Sequence, residues 1–122
     1  MADTARFLLY AVRFEETYVD DNWERLEEFF TDDAEYSDSL GSAKGRQAVL
    51  DYMKNSLNSI DRTFKERVLL PTGMLRSGDD WVEFDFEVTY RSPEKEDLFM
   101  RGVHRVEFLG EHIHSLEVRI LA

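Results

Sequence analysis

The sequence contains no cysteine, which excludes disulfides, thiolate metal ligands and a cysteine nucleophile, and fits a reducing compartment. Phosphate-loop and dinucleotide-binding glycine patterns are missing as well: Gly41-Ser42-Ala43-Lys44-Gly45 offers two glycines in the wrong context. Long apolar runs are also lacking. The stretch Phe7 to Val12 ends at Arg13 without a small-residue cleavage site, so neither signal peptide nor membrane span is expected, and the simplest address is cytoplasmic. Positive charge is scarcest between Glu15 and Asp38, where eleven acids face Arg25 alone in a chain of formal charge -11. Such a surface repels phosphate backbones and anionic lipids, so no nucleic-acid and no membrane partner is expected. The bland alternative is a solvated acidic face that aids solubility.

What is present suffices for a core. The 122 residues are 43% hydrophobic and 13% aromatic, with nine Phe, five Tyr and two Trp, which suits one domain spanning residues 1–122. Helix-type sequence comes first and strand-type sequence follows, an α+β order. Phe7, Tyr10, Ala11, Phe14 and Tyr18 form one apolar stripe on a first helix near residues 4 to 19. Asp21-Asn22-Trp23-Glu24 reads as a capping box opening a second helix that buries Trp23, Leu26 and Phe30. A strand, Ala34 to Asp38, leads into a turn-rich loop, and Arg46 to Leu57 resumes helical spacing.

Thr63 to Leu70, Trp81 to Arg91, Leu98 to Leu109 and His112 to Leu121 read as strands of one antiparallel sheet, punctuated by Pro71-Thr72-Gly73, Ser92-Pro93 and Gly110. Val82, Phe84, Phe86, Val88 and Tyr90 share one face, and Glu83, Asp85 and Glu87 fall on the other, where solvation is expected. His104 lands among Met100, Gly102, Val106 and Phe108. In the last strand Ile113 has opposite parity to Leu116, Val118 and Ile120, and a β-bulge near His114-Ser115 would reconcile them.

Asp38 is the strongest candidate for chemistry. If Ala34 and Tyr36 face the interior, the period of two carries its carboxylate inward with them. Paired with His104, it would suit proton transfer near neutral pH, with Tyr18 and Tyr36 as neutral donors. The competing readings are a turn-capping acid ahead of Ser39-Leu40-Gly41 and a core histidine satisfied by a neighbour. Tyr36 and Tyr52 would shape an aromatic wall with Phe84 and Phe86. His112 and His114 could share a strand face, but no third ligand accompanies them, so no metal is expected.

The layout resembles the nuclear transport factor 2-like superfamily, the cystatin-like α+β cone in which three N-terminal helices pack on a curled antiparallel sheet enclosing a pocket. The resemblance is carried by Trp23-Glu24-Arg25-Leu26, Phe30-Thr31-Asp32-Asp33-Ala34-Glu35-Tyr36, Lys44-Gly45-Arg46-Gln47-Ala48-Val49 and the hairpin Gly110-Glu111-His112-Ile113. It implies a small-molecule enzyme of isomerase, dehydratase or cyclase type without a cofactor, or else a non-catalytic binder of small hydrophobic molecules or a dimeric accessory protein. Asp32 to Asp38 is similar to the general-base segment of ketosteroid isomerases and places Asp38 at the base, a system that serves as a standard example of pKa tuning. Phe14 and His104 then stand where those enzymes carry an oxyanion-hole Tyr and a protonated Asp. Tyr18 is similar to a helix-end Tyr of scytalone dehydratases, whose paired histidines have no counterpart here. Phe84 and Phe86 replace the Arg and Asp of the epoxide hydrolases, and Leu116, Val118 and Ile120 replace the last-strand acid of SnoaL-type cyclases. The resemblance also implies a homodimer paired through the outer sheet face, with Trp81 as its anchor beside Val103.

Overall fold

The computed structural model describes residues 4–59 and 61–121, with the side chains at 74 and 75 excepted. Helix α1 (Thr4–Asp20) is followed by a 3₁₀ helix (Trp23–Phe29), strands β1 (Phe30–Ser37) and β2 (Ser42–Lys44), and helix α2 (Arg46–Ser59). A short 3₁₀ turn (Asp61–Thr63) leads into β3 (Glu66–Ser77), β4 (Trp81–Ser92), β5 (Lys95–Leu109) and β6 (His112–Ile120). The result is the α+β cone: helices on the concave face of one curled, open sheet of order β2-β1-β6-β5-β4-β3.

Two expectations about the first half are corrected. The sheet is mixed, because β1 runs parallel to β6, with Tyr36 beside Leu116. The strands from β3 onward pair antiparallel, as their short connections require. The capping box does not form either. Asp21 adopts a left-handed backbone (φ 61°) and donates its N–H to the Thr17 carbonyl at 2.7 Å, so it terminates α1. Its carboxylate accepts the Trp23 indole N–H at 2.8 Å, and Asn22, the residue before the 3₁₀ helix, makes no side-chain cap. With the helix tightened to 3₁₀ geometry, Leu26 and Phe29 form its buried face and Phe30 opens β1 instead.

Two boundaries also shift. The expected loop after Asp38 contains β2, which adds a short edge to β1. Pro71 does not end β3, since that strand is the other sheet edge and its register shifts between Pro71 and Gly73, positions where a residue without an N–H is tolerated. The bulge in β6 is present: Glu107 pairs with Ser115 while Phe108 pairs with Ile113, leaving His114 as the extra residue. Ile113 and Leu116 are therefore both buried in a core that gathers Phe7, Tyr10, Leu26, Phe29, Phe30, Val49, Val82 and Val106.

The convex face holds a larger surprise. Glu83, expected in solvent, is only 3% exposed. Arg76 Nε donates to it at 2.6 Å, Arg119 Nη2 at 2.7 Å and Arg105 Nη1 at 3.4 Å. The arginines themselves cover it, so it is sealed in the outer layer of the sheet and not in the core. Burial pulls its pKa upward, yet the hydrogen bonds and charges of Arg76, Arg105 and Arg119 outweigh this and leave it below the usual value. Asp85 and Glu87 are half-buried, and Trp81 lies beneath the Arg105 guanidinium at 4.2 Å.

Candidate functional site

Helix α1, helix α2 and the concave sheet face enclose a cavity of about 480 Å³, within the range of small-molecule sites. The walls are chiefly apolar. Phe7, Phe14, Phe84, Phe86 and Leu116 line it, and Leu8, Val12 and Leu40 line it from exposed positions. Asp38 and His104 both reach it, from the end of β1 and the middle of β5 respectively.

Asp38 performs two jobs at once. Its Oδ1 accepts the N–H of Leu40 at 2.9 Å, that of Gly41 at 3.1 Å and the Tyr52 hydroxyl at 2.8 Å. This is the turn-capping role, and it uses all that Oδ1 can offer. Among the described residues Oδ2 accepts only the Tyr36 hydroxyl, at 3.0 Å, so a lone pair remains on that oxygen. Burial, and next the charge of Asp38, keep the Tyr36 hydroxyl well above the usual phenol pKa, so it stays a donor. Gly41 is what lets Tyr52 approach, because a Cβ there would sit 3.0 Å from the Tyr52 oxygen.

His104 is the opposite case. Its ring stacks on Phe86 at 4.5 Å and meets Phe7 edge-on at 6.1 Å, while neither ring nitrogen has a hydrogen-bond partner among the described residues. The accessible part of the ring opens into the cavity. Burial, assisted by the positive charge of Arg67, pushes its pKa down to about 4. The imidazole is thus neutral at pH 7, with one N–H to donate and one lone pair to accept. Gly102 makes the stack possible: a Cβ there would press on the Phe86 ring at 2.7 Å and also on the Arg119 carbonyl.

A third polar group was missed by the sequence reading. Arg67 on β3, whose side chain is 4% exposed, donates Nε to Asp61 at 2.8 Å and Nη1 to both Glu15 oxygens at 2.7 and 2.9 Å. Tyr90, the register partner of Arg67 on β4, donates its hydroxyl to Asp61 at 3.1 Å. Asp61, Arg67, Tyr90 and Glu15 all line the cavity. Burial raises the Asp61 pKa despite the opposing pull of Arg67 and Tyr90. The only sequence signal was Tyr90 on the apolar face of β4, since Asp61 and Arg67 lie in a stretch with no clear period.

Two candidates stand behind the wall. Tyr18 and Tyr52 are not among the lining residues. Arg67 covers the Tyr18 ring, its guanidinium carbon 4.9 Å from the ring centre, and so occupies the space through which Tyr18 would reach inward. Tyr52 instead supports Asp38, its ring 5.3 Å from that of Tyr36. His114 packs at 3.3 Å from the Thr31 hydroxyl, and among the described residues no group of three or more metal-ligating side chains is placed to hold an ion. No helix of the described residues is long and apolar enough to cross a membrane.

A helical layer closing the mouth of a curled open sheet, with a mainly apolar cavity between them, defines the nuclear transport factor 2-like class of α+β cones. Within it the chain belongs to the SnoaL-like domain family, whose family model matches residues 11–115. An NTF2-like protein of unknown function from Exiguobacterium sp. 255-15 is similar in fold, with a TM-score of 0.73 at 15% identity over 95% of this chain and 98% of that one. A candidate isomerase of the SnoaL-like family from Agrobacterium tumefaciens gives 0.70 at 14% identity over 98% and 100%. A candidate polyketide cyclase from Sinorhizobium meliloti gives 0.63 at 18% identity over 84% and 86%. No curated protein matches this sequence.

Proposed function

We propose that the chain is a cofactor-independent enzyme that moves a proton at carbon next to a carbonyl in a small hydrophobic substrate. The observation that carries this reading is that Asp38 Oδ2, with a lone pair to spare, and His104, with no hydrogen-bond partner among the described residues, line one mainly apolar cavity. In the step envisaged, the C–H bond breaks, its proton passes to Asp38 Oδ2, and the electron pair shifts onto the carbonyl oxygen. The neutral His104 N–H donates to that developing oxyanion, and return of the proton to a different carbon, loss of a leaving group or ring closure completes an isomerisation, elimination or cyclisation. Isomerase and cyclase names among structurally similar proteins agree with this class of chemistry.

Exchange of α-protons for deuterium in hydrophobic ketones, followed by NMR in D₂O, tests it directly. Asp38→Asn should lower the exchange rate by roughly 10²–10⁴-fold while ligand binding persists. The second reading is a non-catalytic binding module, and it is favoured by the three hydrogen bonds that commit Oδ1 to holding a turn. Tight binding of such ketones with no exchange above background, and no effect of Asp38→Asn, would establish that reading instead.

A further inference from the structure

The proton-transfer reading accounts for Asp38 and His104 but leaves the Glu15–Arg67–Asp61–Tyr90 cluster idle, although all four residues line the same cavity. Position makes this cluster a second pole. In the order β1-β6-β5-β4-β3, Asp38 follows β1 while Arg67 lies on β3, with His104 on the middle strand between them. Four strand spacings separate the two ends, about 19 Å measured along the curl of the sheet and less across the cone. An elongated ligand with its reacting end at Asp38 therefore has its other end at Arg67.

Arg67 has one donor nitrogen left for such a ligand. Nε is used by Asp61 and Nη1 by Glu15, while Nη2 makes no hydrogen bond among the described residues. The guanidinium plane is held by those two carboxylates and by the Tyr18 ring, so this donor is fixed in direction before any ligand arrives. Charge then selects what it can hold. Glu15, Asp38 and Asp61 line the cavity against the single guanidinium of Arg67, and His104 is neutral. A carboxylate or phosphate entering here would meet three acids with one already-paired cation, in surroundings where screening is weak. A neutral oxygen acceptor meets no such repulsion and still gains a charge-assisted hydrogen bond.

We propose that Arg67 forms a recognition subsite at the end of the cavity remote from Asp38, where Nη2 donates to a neutral carbonyl or hydroxyl oxygen of an elongated, uncharged, largely aromatic substrate. The subsite rests on the proton-transfer reading for its orientation, and it adds the substrate class: a molecule with an apolar body and oxygen functions at both ends, not an acid.

Three biaryl probes decide it: acetylbiphenyl, diacetylbiphenyl with one acetyl group on each ring, and the carboxylate of acetylbiphenyl with its charge on the second ring. Calorimetric affinities for the intact protein should favour the diacetyl compound about tenfold over the monoacetyl one, the increment expected of a hydrogen bond to a charged donor. The carboxylate should bind more weakly than either. Arg67→Lys should erase the preference for the second acetyl group, and if that variant does not fold, the wild-type ranking alone still decides. Equal affinity for the mono- and diacetyl compounds, or tightest binding of the carboxylate, overturns the subsite. If wild-type protein exchanges the methyl protons of all three ketones yet ranks them equally, the subsite falls and the proton-transfer reading stands. Absence of binding by all three overturns both.

Discussion

Glu83 and Phe84 are neighbours on β4, and their cross-strand partners Arg105 and His104 are neighbours on β5, yet the two pairs face opposite sides of the sheet. On the convex side, Glu83 collects Arg76, Arg105 and Arg119, and its carboxylate stays ionised and fully occupied. On the concave side, His104 stacks on Phe86, and neither of its nitrogens has a hydrogen-bond partner among the described residues. One step along the strand thus separates a group spent on holding the sheet together from one left open to a ligand. Buried polar groups are normally satisfied, so an unsatisfied one facing a cavity is the more informative of the two.

The largest expected consequence is a pH dependence on the concave side. His104 has a folded pKa of about 4 against an ordinary 6.5, so the unfolded chain binds the proton first. Stability conferred by the neutral ring is complete above pH 6.5 and drains away as pH falls toward about 4. The loss reaches about 3 kcal/mol if the shift is fully realised. His104→Phe should flatten urea-derived stability across this window. An unchanged pH profile in that variant would show that the ring is solvated and break the contrast with Glu83.

The convex side should respond to lost charge more than to acid in that window. Glu83→Gln leaves three arginines converging on a neutral amide and should cost about 2 kcal/mol, below the figure for a fully buried pair because the arginines are partly solvated. Its lowered pKa places its own acid sensitivity beneath the ordinary 4.5, with stability lost as pH falls through the folded value. Asp61→Asn gives the concave counterpart. Since burial raises the Asp61 pKa, its contribution is present at low pH and lost as pH rises through the folded value. Neutralising it should therefore cost under about 1 kcal/mol at pH 7. Urea midpoints in the reverse order would invert the comparison. Gly102→Ala presses on the Arg119 carbonyl of β6 and forces Phe86 off the His104 ring, at about 1–3 kcal/mol, visible as a shift of the His104 ring resonances.

The parity of β4 and β5 was legible in the sequence, and with it the inward placement of Phe84, Phe86 and His104. Tyr36 and Asp38 were legible for the same reason, as was the bulge in β6, since Ile113 and Leu116 could not otherwise both be buried. Glu83 was not, because alternation assigns a face and says nothing about what covers it; its three arginines come from β3, β5 and β6 and meet only through register. The parallel pairing of β1 with β6 is likewise a contact between distant segments that no local pattern encodes. Asp61 escaped notice because it sits in a short turn ahead of β3, and Arg67 because β3 is an edge strand whose apolar Val68 and Leu70 are exposed, so its hydrophobic pattern does not mark the inner face.

The smallest expected change in rate probes whether Asp38 belongs with the spent groups or the available ones. Tyr52 donates to Oδ1, the turn-holding oxygen, and Tyr36 donates to Oδ2, the oxygen with a lone pair to spare. Tyr52→Phe removes one hydrogen bond from a neutral donor to a half-buried carboxylate and should cost about 1.5 kcal/mol of stability. Because Oδ1 keeps both backbone donors, the carboxylate should stay in place and the α-proton exchange rate should change by less than about fivefold. Tyr36→Phe acts on the other oxygen, freeing a stronger acceptor there, and should alter the exchange rate more than Tyr52→Phe at comparable stability. Equal kinetic effects from the two variants would mean that the carboxylate works as one undivided cap, placing Asp38 with Glu83 and not with His104.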